Sequence, residues 1–413
     1  MHILFLSDNF PPEVNAPASR TFDHCRQWVR AGHKVTVITC APNFPRGKVY
    51  EGFRNQIFSR ETNDGINVVR VWSYISPNEG FLKRTLDYMS YMVTATIAAQ
   101  FIRRVDIVVA TSPQFFTAIS GYLVALAKRR AFVFELRDLW PESIKAVGAL
   151  QQKWILRALE AIELFLYSRA DLIVSVTKAF RDNLVRRGVS EAKIAVITNG
   201  VDLFAFWPGA KSDVLLDRYG LRDKFVVGYV GTLGMAHALE TVLEAAQLVL
   251  ATPLASNVTF LFIGDGARRN HLMAKSRDMG LTNVLFLESV SKSQVREYWS
   301  LLDATIIHLR NTELFTTVIP SKLFEAMAMG VPVLLGVAGE SSTIVRQENA
   351  GILFEPENAG ALADAITMLA RDQNTCTFFS KGARAGAAKY DRNDLASQML
   401  ALLEKVVQVR CHD

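Results

Sequence analysis

Short runs of branched and aromatic residues alternate along the chain with longer segments of helical periodicity. IVVAT (107–111), FVFEL (132–136), DLIVSV (171–176) and KIAVIT (193–198) predict strands, and the segments 114–128, 151–169 and 177–187 between them predict helices. Near-continuous apolar strands separated by helices imply a parallel sheet covered on both faces. The alternation restarts with FVVGYVG (225–231), VTFLFIG (258–264), NVLFL (283–287), ATIIHL (304–309) and VPVLLG (331–336), each followed by a helical pattern. Between the two series lie Asn199-Gly200-Val201-Asp202 and Trp207-Pro208-Gly209, a turn-rich passage. The pattern predicts an α/β chain of two doubly wound domains, 1–200 and 201–391. Helices are expected at 358–372 and 376–390, and a last one near 392–409 is placed to cross back to the first domain. HILFLSD (2–8) reads as a buried first strand, too short for a signal-peptide core and without a basic lead or small-residue cleavage site.

The composition narrows the class. The chain has 413 residues, 50% of them hydrophobic, which excludes a disordered protein and fits two or three domains. Its four cysteines, Cys25, Cys40, Cys376 and Cys411, form no CxxC pair, so a reducing compartment fits best. The net charge of +6 is uneven: residues 1–200 hold 26 Lys/Arg against 17 Asp/Glu, and residues 201–413 hold 20 against 23. Two weakly charged stretches, Arg84–Arg103 and Asp106–Lys128, are rejected as membrane spans. The first is amphipathic, and Thr111-Ser112-Pro113 breaks the second.

Doubly wound sheets bind ligands at the carboxyl ends of their strands. In the second domain, Pro320 suits the first turn of a helix, whose N-terminus offers unpaired N–H groups to a phosphate. Ser321 and Lys322 sit there, and an anion would offset the cost of a cation in a first turn. Glu325 lies three residues on, on the same side, where a carboxylate can accept hydrogen bonds from ribose hydroxyls. The turns Gly231-Thr232-Leu233-Gly234 and Ile263-Gly264-Asp265-Gly266 end strands and permit close backbone approach to a diphosphate. Arg268 follows as a phosphate partner or a solvated arginine. In the first domain, small residues between Pro11 and Arg20, Asn15 among them, permit close approach of a ligand, and Arg20 either faces the ligand or pairs with Glu13. Arg137, Asp138 and Glu142 close a strand at its carboxyl end. Arg137 and Asp138 read either as a structural ion pair or, in Asp138, as an orienting or basic group for a bound ligand. No GxGxxG follows the first strand, which argues against a dinucleotide oxidoreductase.

Together Phe10-Pro11-Pro12-Glu13, Asp138-Leu139-Trp140-Pro141-Glu142-Ser143, Asn199-Gly200-Val201-Asp202, the two glycine turns and Ile319–Val333 resemble glycosyltransferase family 4 along nearly the whole chain. The branch most resembled includes bacterial O-antigen and capsule transferases, some of which handle acetamido-fucose. The resemblance implies the GT-B fold, two Rossmann-like domains facing across a cleft, and a retaining transfer with no cofactor and no metal. It implies a nucleotide-sugar donor, a UDP-linked N-acetylhexosamine or deoxy relative, on the second domain, and a polyprenyl-diphosphate-linked or glycan acceptor. Lys322 and Asp138 would then serve catalysis, and His237 would stand where many members place a basic diphosphate-binding residue. One departure is plain: the first of the family's paired glutamates falls at Thr317, with Glu313 as a poor substitute. No DxD triplet is present, so a metal-dependent transferase of the other major fold is disfavoured. A hydrolysing epimerase of similar architecture and a non-catalytic nucleotide-sugar-binding partner remain as alternatives.

The first domain also carries an expected surface for an anionic membrane. The segment 83–104 begins Lys83-Arg84, ends Arg103-Arg104 and contains aromatic and methionine residues. Lys128-Arg129-Arg130, Lys153 and Trp154 add to it. This implies a cytoplasmic protein peripheral to the inner face of the membrane. Nucleic acid is a poorer partner, for no recognised binding module is present.

Overall fold

A computed structural model describes residues 1–44, 47–76, 81–142, 152–291 and 293–412. The chain divides into two compact units, Met1–Thr198 with Arg392–Asp413, and Asn199–Asp391.

The first unit is built on β1 (His2–Leu6), α1 (Ala16–Arg30), β2 (Lys34–Cys40), β3 (Phe58–Asn63), β4 (Ile66–Val71) and α2 (Phe81–Gln100). It continues with β5 (Ile107–Thr111), α3 (Phe115–Lys128), β6 (Ala131–Leu136), α4 (Lys153–Arg169), β7 (Leu172–Ser175), α5 (Lys178–Arg186) and β8 (Ile194–Val196). The sheet order is β3-β4-β2-β1-β5-β6-β7-β8. Its pairings are parallel except β3 with β4. The direction of winding reverses between β1 and β5, the place where such sheets leave a crevice.

The apolar-run pattern did not single out β2, β3 or β4. β3 is an edge strand of sequence FSRETN, largely exposed, so it has no apolar face to announce it. Asp64 and Gly65 turn it back at φ 47° and 80°, a two-residue loop of the kind that matches strand twist. One sheet face carries Ile3, Phe5, Val35 and Val109, packed under Trp28 of α1. The final helix returns to this same core through Leu395, Met399 and Leu403. Trp28 Nε1 donates to the Ala396 carbonyl at 2.8 Å, and Arg392 forms a buried ion pair with Asp23.

The second unit comprises α6 (Asp213–Tyr219), β9 (Phe225–Val230), α7 (Glu240–Leu250), β10 (Val258–Ile263), α8 (Arg269–Asp278), β11 (Val284–Leu287) and α9 (Val295–Trp299). It continues with β12 (Ala304–His308), α10 (Lys322–Met329), β13 (Val333–Gly336), α11 (Glu340–Gln347), β14 (Gly351–Leu353), α12 (Ala359–Arg371) and α13 (Gln373–Ala387). The last helix, α14 (Arg392–His412), belongs to the first unit. The all-parallel sheet runs β11-β10-β9-β12-β13-β14. Counted within the unit this is 3-2-1-4-5-6, the dinucleotide-fold order, with its switch point between β9 and β12.

Residues along β9 alternate between two cores, Val226 and Val230 toward α10, Val227 and Tyr229 toward α7 and α12. Several strands end one or two residues inside the expected runs. Gly231 and Gly264 leave the ladder at φ 130° and 146°, and Pro332 has no N–H to give it. Helix α13 starts earlier than expected because Asp372 caps it, accepting from the Asn374 and Thr375 N–H groups at 2.9 and 3.2 Å. No described helix is long and apolar enough to cross a membrane.

Candidate active site

The switch point of the second unit gathers Gly231, Lys322 and His237. Helix α10 is fixed by Leu323, Phe324, Ala326 and Met327, all buried, and ends at Gly330 in the left-handed region (φ 65°). At its other end Ser321 makes no side-chain capping bond, and the Leu323 and Phe324 N–H groups donate to the carbonyls of Pro320 and Ser321 at 3.0 and 3.1 Å. Lys322 is half-buried as a residue, yet its Nζ is shut off from solvent and has no hydrogen-bond partner. It lies 3.7 Å from the centroid of the Tyr229 ring, a cation–π placement. A Cβ on Gly231 would stand 3.4 Å from it, so the first turn's glycine leaves this space open. Burial lowers the Lys322 pKa to about 7, and the Glu325 carboxylate one turn along opposes that shift. The ring beneath is anchored by Tyr229 Oη donating to the Thr232 carbonyl at 2.7 Å.

His237 has a different task from the expected one. His308 Nε2 accepts from the Glu357 N–H at 2.8 Å, so its proton is on Nδ1, which donates to the His237 carbonyl at 2.8 Å. His237 Nδ1 reciprocates toward the His308 carbonyl at 3.3 Å. Burial, and then the charge of Lys322, push the His237 pKa down to about 3. The ring is therefore neutral, adds no positive charge for a diphosphate, and ties the 231–238 loop to the end of β12. Arg310 reinforces the tie, its N–H and Nε donating to the carbonyls of Ala236 and Met235 at 2.9 and 2.7 Å.

Gly264 and Gly266 meet protein backbone. A Cβ on Gly264 would stand 2.0 Å from the Gly231 carbonyl oxygen, and one on Gly266 would stand 2.6 Å from that of Leu233. These glycines let the second turn press against the first. Gly234 has room for a Cβ, the nearest atom being 3.5 Å away on His237, and Thr232 is exposed. Arg268 forms an ion pair with Glu240 at the start of α7, so its charge is already countered. At the departure from the family pattern, Thr317 Oγ1 donates to the Leu314 carbonyl at 2.6 Å, and Glu313 is exposed before that turn.

In the first unit the expected acceptor-side residues are mostly engaged in structure. Asn15 caps α1, accepting from the Ala18 N–H at 2.8 Å, and its amide bonds Asn9. Arg20 faces neither Glu13 nor open space. It is 3% exposed and donates to Glu135 at 2.9 Å and to the carbonyls of Thr198 and Ile197 at 2.6 and 3.0 Å. Glu13 instead accepts from the N–H groups of Asn43 and Phe44, both at 2.8 Å. Arg137 and Asp138 are held at the end of β6 by Ser112 Oγ, which accepts from their N–H groups at 2.7 and 3.2 Å. The Arg137 Nε and Nη1 atoms are buried without a hydrogen-bond partner, and burial lowers the pKa to about 10 against the pull of Glu135. The negative charge of Glu142 reaches Glu163, whose pKa burial raises to about 7. Ser143 lies outside the described residues.

Sequence reasoning did not single out Tyr229 or His308. The signal for both was a polar-edged side chain within two residues of a strand's carboxyl end. It also passed over Asp8 and Asp87, near the carboxyl edge of β1. Burial raises both, Asp87 to about 7 with the charge of Asp8 adding to it.

Residues 18–203 match the family described as Glycosyltransferase Family 4, and residues 224–372 match Glycosyl transferases group 1. WcaI of Escherichia coli, named for colanic acid biosynthesis as a glycosyl transferase, is 24% identical over 89% of this chain and 91% of its own. A GDP-mannose-dependent alpha-mannosyltransferase of Mycolicibacterium smegmatis is 26% identical over 89% of this chain and 88% of its own. Among solved structures, sucrose-phosphate synthase of Thermosynechococcus elongatus superposes with a TM-score of 0.80 at 17% identity, covering 99% of both chains. HepE of Anabaena, in complex with UDP and glucose, gives 0.72 at 18% identity over 98% of this chain and 100% of that one. Two family matches that between them take in both sheets, with the GT-B neighbours, lead to one conclusion: the chain belongs to glycosyltransferase family 4 and is a glycosyltransferase of GT-B fold.

Proposed function

We propose that the chain is a retaining, metal-independent transferase of bacterial surface-polysaccharide biosynthesis. It moves a sugar, an N-acetylhexosamine or deoxy derivative, from a UDP-sugar to a lipid-linked or glycan acceptor. The observation that carries this reading is Lys322: a buried amine with no hydrogen-bond partner, at a helix N-terminus, over a glycine turn, at the switch point. A buried polar group left without a partner costs free energy that a ligand recovers. A diphosphate supplies the missing anion. Its arrival raises the Lys322 pKa and draws a proton onto Nζ, and the resulting ammonium meets the charge that grows on the leaving diphosphate. Glu325 takes the ribose hydroxyls, Ser321, Lys322 and the Gly231 turn take phosphate, and the acceptor hydroxyl attacks from the face the diphosphate leaves. The names of WcaI and of the Bacillus subtilis teichuronic acid glycosyltransferase TuaH support a polysaccharide product.

A second donor reading has its own support. Two mycobacterial relatives are named GDP-mannose-dependent, so GDP-mannose stands beside UDP-sugars. On the acceptor side, Leu86, Met89, Val93, Ile97 and Phe101 are each more than 40% exposed at spacings of three and four along and just past α2. With the basic residues around them they support peripheral attachment to the inner face of an anionic membrane. The test is a panel of UDP-sugars and GDP-mannose with polyprenyl-diphosphate-linked acceptors, with and without EDTA. Nucleoside diphosphate release with a retained anomeric configuration is expected. Epimer interconversion, an inverted product, or tight nucleotide binding without transfer would each overturn the reading.

A further inference from the structure

The amino-terminal ends of β1 and β2 border a groove of about 490 Å³. Small-ligand sites run from about 300 to 1,000 Å³. Lys34, Arg60, Arg103 and Arg104 line it, with Glu61 as the acidic member of the lining. Glu61 is already held by Arg70, through Nε and Nη2 at 3.0 and 2.8 Å. All four cations are exposed, and none of them is in an ion pair identified among the described residues.

The floor is fixed, and the Asp106 carboxylate beneath it accepts from the His2 N–H at 2.6 Å. His2 Nδ1 faces the carbonyls of Arg103 and Arg104, both at 3.2 Å. Carbonyls only accept, so the proton is on Nδ1 and Nε2 accepts from Thr36 Oγ1 at 2.9 Å. Burial, then Lys34, keep the imidazole below its ordinary pKa. The same two bonds hold the turn that presents the arginines, with Arg104 at φ 55°, a conformation costly for a side chain bearing Cβ. Phe101, 68% exposed, lines the groove and is also the last member of the apolar stripe of α2.

We propose that this groove binds a phosphate ester, and that its source is the headgroup of an acidic phospholipid. The stripe ending in Phe101 favours that source, because a lipid brings an apolar chain beside its phosphate and a free phosphate does not. The inference rests on the membrane reading above. It adds that attachment is by recognition at one groove and not by diffuse charge alone.

The test uses flotation with phosphatidylcholine vesicles carrying phosphatidylglycerol or phosphatidic acid at matched surface charge. The triple variant Arg60→Gln/Arg103→Gln/Arg104→Gln is compared with Lys153→Gln/Arg157→Gln/Arg169→Gln, which removes the same charge from α4. Melting curves check that both fold. Wild type and the groove variant are also melted with inorganic phosphate and with glycerol 3-phosphate. A tenfold or greater loss of vesicle binding in the groove variant, against two- to threefold in the α4 variant, supports the site. Equal losses overturn it and leave the membrane reading standing. If wild type ignores all vesicles but glycerol 3-phosphate stabilises it and not the groove variant, the phosphate site holds and the membrane reading falls. If neither vesicles nor soluble phosphates distinguish wild type from the groove variant, the groove is no site.

Discussion

Arg20 and Lys322 are both cations with buried charged groups, each near the start of a helix that follows a strand of its own sheet. They are treated in opposite ways. Arg20 has a carboxylate and two carbonyls within 3.0 Å. Lys322 Nζ has an aromatic face and no hydrogen bond. A buried charge with its partners in place is part of the scaffold. One without them marks where the folded chain is incomplete until a ligand arrives. Residue type and position along the fold do not separate these cases; the partner count does.

The comparison breaks first at Arg20. Arg20→Met strands the Glu135 carboxylate in a buried site, and a loss of about 3–5 kcal/mol in denaturant unfolding is expected. An unfolding free energy within about 1 kcal/mol of wild type would mean that Arg20 is no more structural than Lys322. Lys322→Met is expected to do the reverse. It keeps the fold while lowering kcat by about 10²–10³-fold, the size seen when one stabilising donor is removed. Wild-type turnover in this variant would end the assignment of Lys322 to the leaving group.

Glu325→Ala comes next, with donor binding weakened by about 1–3 kcal/mol as ribose hydroxyls lose a charged acceptor. Titration calorimetry with UDP and GDP measures it, and unchanged affinity for both would remove the ribose role.

The pH dependence sharpens the contrast further. Lys322 has a folded pKa of about 7, below the unfolded value of about 10.4. Between those values the unfolded chain binds the extra proton, so stability rises with pH across that window and is lowest below pH 7. The stability of wild type minus that of Lys322→Met should therefore climb from pH 7 to pH 9, and a flat difference would show Nζ to be hydrated. The smallest effect is expected at Arg268→Gln. Glu240 already counters the Arg268 charge, so less than a twofold change in donor KM is expected from steady-state assays.

Much of this was legible in the sequence because strands buried on both faces declare themselves as apolar runs. Phe225–Val230 and Val258–Ile263 were read within one residue. Phe58–Asn63 was not, because an exposed edge strand carries no apolar run, and its signal was the Asp64-Gly65 pair. The site divides along the same line. Lys322, Ser321 and Glu325 are neighbours in one segment, so their grouping was visible. What Lys322 touches was not, since Tyr229 and Gly231 come from a strand more than ninety positions earlier. His237 was read as a diphosphate-binding residue, Arg268 as a phosphate partner or a solvated arginine, and Arg20 as facing a ligand or pairing with Glu13. Their partners, the His308 carbonyl, Glu240 and Glu135, are set by packing that no local pattern encodes.

The return of α14 to the first unit has a consequence for biosynthesis. Trp28 and the Ala396 carbonyl it bonds are 368 positions apart, and Asp23 and Arg392 are 369 apart. At synthesis rates of about 5–20 residues per second, the start of the chain waits tens of seconds for its closing helix. The second unit, made in one uninterrupted stretch, has all of its own residues just before the closing helix is made, about 1–4 seconds ahead of its last residue. On the ribosome the unit encoded first is therefore the one completed last. A nascent chain halted near residue 391 would leave the faces around Trp28 and Asp23 open to chaperones.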